Sequence, residues 1–308
     1  MIKYFARAFK ITNENIILTT PLVLFLFLAS LYLGVAQRAP ENLASAILLL
    51  VTILFMVSAF FAGWLYMVKK AIDLDKQEFI IDEDKAKASF HLIKEVPVGI
   101  GEYFLSMLGG MILYAIFFLL LLLVGYFVGM HLIGNPGLGL DQLRNALATP
   151  AAMKALVTSL SAEQLAKLNS WNFLFLVGSS LFSFLTLFWG AEIVSRTKNP
   201  FFAFFKAIKF TFSNFLSALI LFVYISFVNF SVSLINALSM IHPIVYFISM
   251  LLYFYFVVYV VVLVFLYYDR ENSKKLTATE DGVIQNNSSN GADSVGQDES
   301  GDSSGEDS

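Results

Sequence analysis

Six long stretches without a single charged side chain decide what this chain can fold into. They cover residues 16–36, 43–68, 103–130, 168–191, 210–241 and 243–268. About 20 apolar residues suffice for a helix to cross the hydrocarbon core of a bilayer, and each stretch is long enough. In hydrocarbon the backbone must satisfy its own hydrogen bonds, so an apolar segment of this length is a helix. In the fifth stretch the span is placed at 213–237. The fold class predicted is all-α: a polytopic membrane protein with six transmembrane helices. Composition agrees, with 58% hydrophobic and 14% charged residues, against about 45–50% and 25% for soluble domains.

The connections predict pairing. Residues 37–42 contain Pro40, a helix breaker, between spans one and two. Met240-Ile241-His242-Pro243 alone separates spans five and six. Both read as tight hairpins, and the six spans as three hairpins.

Charge orients the bundle. Sixteen of the 20 Lys and Arg fall on one side of this topology and four on the other. The four are Arg38, Arg144, Lys154 and Lys167. Basic residues collect on the cytoplasmic side of membrane spans, so both termini are expected in the cytoplasm and the chain in the plasma membrane. Val35-Ala36-Gln37 loosely resembles a signal cleavage site. The apolar run before it, however, exceeds the 7–15 residues of a signal h-region, which favours an uncleaved anchor.

Residues 131–167 are the one long outer segment, and residues 276–308 form the tail. Residues 131–167 form an outer loop that reads as short helices resting on the bundle. Thr149-Pro150 supplies an N-cap with proline in the first turn, Ser161 with Gln164 has capping-box spacing, and Leu156, Leu160, Leu165 and Leu168 mark an apolar face. Residues 276–308 hold eight acids and no base, with few apolar side chains. Such a segment reads as a disordered acidic cytoplasmic tail. Residues 1–275, the membrane domain, carry 20 bases against 15 acids.

A short element recurs before each odd-numbered span. Phe5-Ala-Arg7-Ala-Phe9-Lys10, Ser89-Phe-His91-Leu-Ile93-Lys94 and Phe204-Phe-Lys206-Ala-Ile208-Lys209 each set a basic or imidazole side chain three residues before a lysine. On a helix those positions share a face. In the third element Asn199-Pro200 is the cap, and Phe201, Phe204, Ile208, Phe212 and Phe215 predict an apolar stripe. A helix of this kind suits the membrane interface, with rings at the acyl boundary and lysines at the phosphates. Each hairpin is therefore expected to follow a cytoplasmic interfacial helix. Arg7, Lys10, Lys94, Lys206 and Lys209 are the candidate headgroup contacts, with anionic membrane lipids as partners.

The segment Asn199-Pro-Phe-Phe-Ala-Phe-Phe-Lys-Ala-Ile-Lys209, running on through Ser213-Asn214-Phe215, and the ending Phe265-Leu-Tyr-Tyr-Asp-Arg270 resemble stretches of bacterial and archaeal six-helix membrane proteins. Among these is the membrane domain found beside glycerophosphodiester phosphodiesterases. The resemblance implies a six-helix domain over residues 1–275. No catalytic residue of the phosphodiesterase maps onto this sequence, so no activity is carried over.

Residues that would carry chemistry are sparse. There is no cysteine, which removes thiolate catalysis and Cys-ligated metals. His91, His131 and His242 lie in different loops without metal-ligand spacing. All six spans lack Asp, Glu, Lys and Arg at their centres, and intramembrane charge is the usual mark of ion-coupled transport. Glu192 with Arg196 reads as a surface pair. Asn229 and Asn236, seven apart on one face of span five, read as interhelical hydrogen-bonding residues, with a polar substrate path as the alternative. Ser179-Ser180 and Gly109-Gly110 are expected to allow close helix approach.

The expected function is non-enzymatic: a membrane-organising or accessory protein that engages anionic lipid at the cytoplasmic face. The alternative is a transporter of a lipid or hydrophobic solute, with its path between hairpins. No cofactor and no nucleic acid are expected, and a protein partner remains unidentified.

Overall fold

The structure is a computed structural model that describes residues 2–36, 42–77, 82–238 and 243–292. Among these residues all regular structure is helical. Six helical segments are long and apolar enough to cross a membrane, as in a multi-pass integral membrane protein.

The chain begins with α1 (Ile2–Glu14) and, past a 3-10 turn, α2 (Thr19–Ala36). α3 (Leu43–Asp75) is started by Asn42, whose side chain accepts from Ser45 N at 2.9 Å. α4 (Asp82–His91) passes through the 3-10 turn Leu92–Lys94 into α5 (Glu95–Leu132). Then come α6 (Leu140–Ala148) and α7 (Pro150–Ser159), the expected helices of the outer loop. Thr149 caps α7 through Ala152 N at 3.1 Å, and Ser161 and Gln164 form the capping box of α8 (Ala162–Leu185). Gly134 and Gly137 take left-handed φ angles of 81° and 73°, which only glycine adopts readily, and turn the chain out of α5.

The fourth span departs from the single helix expected over 168–191. α8 ends at Leu185, and α9 (Trp189–Ser195) starts after a three-residue turn. Thr186 (φ −95°, ψ 3°) donates its hydroxyl to Phe182 O at 2.8 Å, and Trp189 N reaches back to Thr186 O at 3.0 Å. The turn seats Trp189 against Gly110 of α5, where any Cβ would collide with the indole.

α10 (Pro200–Ser213), α11 (Phe215–Leu238) and α12 (Pro243–Ala292) complete the chain. Asn199 caps α10 as expected, accepting from Phe201 N and Phe202 N at 3.0 and 3.2 Å. The expected tail boundary near residue 276 falls inside α12, and residues 293–308 lie outside the described residues.

Close packing is densest at the basic end, with a further close approach at the opposite end, where Trp171 of α8 lies against Gly129 of α5. α3 and α5 meet along Ala62, Gly63 and Tyr66 against Val96, Gly99 and Tyr103. A Cβ on Gly99 would lie 2.6 Å from Tyr66 Cβ, and one on Gly63 would lie 2.8 Å from Val96. Small residues here let the backbones approach, the main source of packing energy between helices in lipid. Trp64 at the same level donates Nε1 to Leu18 O at 2.9 Å, tying α3 to the start of α2. The two stretches that carry the sequence resemblance also meet here. Phe210 of α10 lies 4.8 Å from Tyr268 of α12, and Phe188 stacks on Tyr267 at 5.5 Å. Toward the other end α2, α3, α5, α11 and α12 leave long rows of apolar side chains exposed.

α2 packs on α3, α5 on α8 and α11 on α12. A short helix precedes each odd-numbered span, and the first and third share a register. Ala8, Ile11 and Thr12 of α1 are buried, as are Ala207, Phe210 and Thr211 of α10. Thr12 and Thr211 each donate to the carbonyl four residues back. Asn15 and Asn214 end the two helices in the same way, through Nδ2 to Ile11 O at 3.0 Å and to Phe210 O at 2.9 Å. The middle element is built differently: His91 ends α4, and Lys94 ends the 3-10 turn.

Candidate functional site

Ion pairs between elements hold the basic end together. Arg7 of α1 meets Asp75 at the end of α3, at 2.7 Å. Lys76 donates to Asp73 at 3.0 Å and to Asp269 of α12 at 2.9 Å. Lys85 of α4 reaches Glu14 at 2.8 Å, and Lys198 reaches Glu102 of α5 at 2.9 Å. Lys69 of α3 donates to Val194 O at 3.1 Å, satisfying a carbonyl at the end of α9. Burial disfavours the Lys76 ammonium, but its hydrogen bonds to Asp269 and Asp73, with the charges behind them, win and raise its pKa.

The five candidate headgroup contacts divide against this network. Arg7 is occupied by a carboxylate that is itself only 7% exposed. Lys10 is exposed and lies 3.8 Å from Glu14 of its own helix, a weak pair. Lys206 is exposed, with Nζ 3.9 Å from Glu192. Lys94 and Lys209 are exposed and form no ion pair among the described residues.

α10 places Lys206 and Lys209 beside an aromatic surface, though its phase differs from the expected stripe. Phe204 is buried and Ile208 half-buried, both packed on the core with Ala203, Ala207 and Phe210. The outward arc carries Phe201, Phe202, Phe205 and Phe212, each about half exposed. Phenylalanine sits on both faces of this helix, so hydrophobicity alone could not phase it.

Glu192 also departs from expectation. It is 2% exposed rather than a surface partner of Arg196, because the turn at 186–188 swings α9 onto the core. Its Oε1 accepts no hydrogen bond. A buried carboxylate without donors is costly unless a charge stands nearby, and Lys206 is the nearest cation.

A second site, legible in the sequence only in part, is a groove of about 700 Å³ between α8, α11 and α12. Phe175, Phe222, Phe256 and a row of valines form its apolar wall. Asn172, Ser179, Ser180 and Ser183 of α8 and Ser226 and Asn229 of α11 are its polar lining residues. Ser179 and Ser180 line this space rather than a helix contact. Gly109 and Gly110 do mark close approaches, to Pro200 and Trp189. Asn229 had been singled out by its type, while the Asn236 side chain lies outside the described residues. The missed signal was the spacing of Asn172, Ser179 and Ser183, which places all three on one helix face.

Among the described residues no three His, Asp or Glu side chains gather as a metal site would require. His242 lies outside the described residues. No family model, curated protein or solved structure matches the chain.

Proposed function

We propose that this chain is a non-enzymatic membrane-organising or accessory protein that engages anionic lipid through its basic end, placed at the cytoplasmic face of the plasma membrane. The observation that carries this reading is the outward arc of α10. Phe201, Phe202, Phe205 and Phe212 alternate there with Lys206 and Lys209, while the opposite face is held to the bundle. A soluble surface does not gather four exposed phenylalanines on one helix face. An interfacial position explains both the rings and the lysines. The matching register of α1 supports a repeated interfacial element, and the resemblance to six-helix membrane domains agrees with it.

Lys94 and Lys209 are the residues to test, because neither serves an internal ion pair. Lys206 is left intact, since an acid there would face buried Glu192. Each basic residue near an anionic surface contributes on the order of 1 kcal/mol. The Lys94→Glu, Lys209→Glu double variant should therefore retain at least about tenfold less phosphatidylglycerol on extraction, as read by native mass spectrometry. Unchanged retention, with insertion intact, would reduce both lysines to topology determinants and sink this reading.

Transport of a lipid or hydrophobic solute is the second reading. One observation favours it: a groove of ligand size that opens sideways between the second and third helix pairs.

A further inference from the structure

The polar lining of the groove is not explained by hydrogen bonding within the protein. Ser170 of α8 and Ser231 of α11 each bond the carbonyl four residues back, at 3.0 and 2.9 Å. Hydroxyl groups on membrane helices are commonly satisfied in this way. The hydroxyls of Ser179, Ser180, Ser183 and Ser226 on the same two helices form no hydrogen bond among the described residues, nor do the side-chain amides of Asn172 and Asn229. Acyl chains cannot supply donors or acceptors, and unpaired polar groups are expensive in hydrocarbon. Six of them lining one groove call for an occupant with polar groups of its own.

We propose that the groove binds a neutral lipid: an amphiphile with hydroxyl, ester or amide groups at its head and no formal charge, of the diacylglycerol type. This deepens the second reading and rests on its premise that the groove admits a membrane-soluble guest. Three observations select the chemistry. None of the lining residues carries a charge, so a phosphate or carboxylate here would lack a counterion in a medium of low dielectric. Asn172 and Ser183 are separated by about 16 Å along α8 at 1.5 Å per residue, roughly half of a 30 Å hydrocarbon core. A guest that uses both must carry its polar groups deep into the core, which an uncharged head tolerates and a charged one does not. The volume of about 700 Å³ suits a head and the first part of its chains. A membrane-spanning helix, about 10 Å across and 30 Å long, would displace roughly 2,400 Å³. Exposed Leu176, Ser180 and Ser226 leave the side of the groove open, so the chain ends can stay among the bilayer lipids.

The test uses the full chain in phosphatidylcholine vesicles with a trace of photoactivatable diacylglycerol, and mass spectrometry to locate adducts. Saturable labelling of α8, α11 and α12 is expected, competed by unlabelled diacylglycerol and not by phosphatidylglycerol. The Ser226→Ala, Asn229→Leu double variant should lower the labelling yield about tenfold, as loss of two hydrogen bonds to the guest would. Its melting temperature and its phosphatidylglycerol retention should stay unchanged. Equal labelling of the variant overturns the proposal, as does equal competition by phosphatidylglycerol. Labelling that falls as the chain dimerises with rising protein density in the vesicles overturns it too, and assigns the groove to self-association. Labelling without solute flux keeps the site and removes transport alone. Absence of labelling removes the site while leaving the anionic-lipid reading to its own test.

Discussion

Arg7 Nη2 lies 2.7 Å from Asp75 Oδ2, and the two residues pin the first helix of the chain to the end of the third. The carboxylate is almost fully enclosed, whereas the guanidinium is about one-third exposed. Removing the arginine leaves a buried negative charge, which costs more than the pair itself contributes. Arg7→Ala should destabilise the protein by about 2–4 kcal/mol, read as a lower melting temperature in detergent. Arg7→Met with Asp75→Leu should recover most of that loss. A single variant as stable as the parent would mean that the pair holds nothing together.

The α3–α5 seam makes a steric prediction. Gly99→Ala would bring a methyl group to 2.6 Å from Tyr66 Cβ and 2.9 Å from Ala62 O. The helices must separate, at a cost of about 1–3 kcal/mol. Gly101→Ala, two residues on, meets nothing within 4 Å and should be neutral or slightly stabilising. Comparison of the two melting temperatures isolates packing from helix propensity.

Orientation can be read chemically, because the chain has no cysteine. Ser161→Cys lies at the start of α8 and Lys87→Cys on α4, at opposite ends of the bundle, and both positions are exposed. An impermeant maleimide applied to intact cells should label Ser161→Cys. Lys87→Cys should react only after permeabilisation. The reverse pattern would invert the topology and place the basic arc of α10 outside.

Lys76 gives a pH dependence. Its pKa in the fold is raised above 10.5 because Asp269 and Asp73 together outweigh burial. A cation whose pKa is raised on folding contributes stability that is complete below its unfolded pKa, near 10.5, and is lost as pH climbs through the folded value. The melting-temperature difference between the parent and Lys76→Gln should be flat at neutral pH and shrink above about pH 10.5. A difference that grows with alkalinity would contradict the raised pKa.

The parts of this molecule that were legible in the sequence are those written locally. Six apolar runs identify the helices long enough to span, and Asn199, Thr149 and Ser161 announce helix starts that the structure keeps to the residue. The turn at Thr186–Phe188 was not legible, since neither proline nor glycine marks it and only a threonine hydroxyl bonding back distinguishes it. The burial of Glu192 follows from that turn, so it was hidden for the same reason. The phase of α10 was obscured by phenylalanine on both faces. The groove was half hidden: the face shared by Asn172, Ser179 and Ser183 is written in α8 alone, but Ser226 and Asn229, which complete the polar lining, come from α11.

The uneven distribution of close packing also divides the molecule mechanically. The densest clamp lies at the level of Gly63, Gly99 and Phe188, and at the other end Trp171 of α8 packs on Gly129 of α5 and donates Nε1 to Gly134 O at 3.0 Å. Helices fixed at one end adjust to bilayer thickness by changing tilt, at a cost of only fractions of a kcal/mol per ångström of mismatch. α8 is held to α5 at its far end as well, so the far ends of α11 and α12 act as the tips of levers whose pivot is the aromatic cluster around Tyr267. A thinner or thicker bilayer would thereby change the width of the groove between α8, α11 and α12.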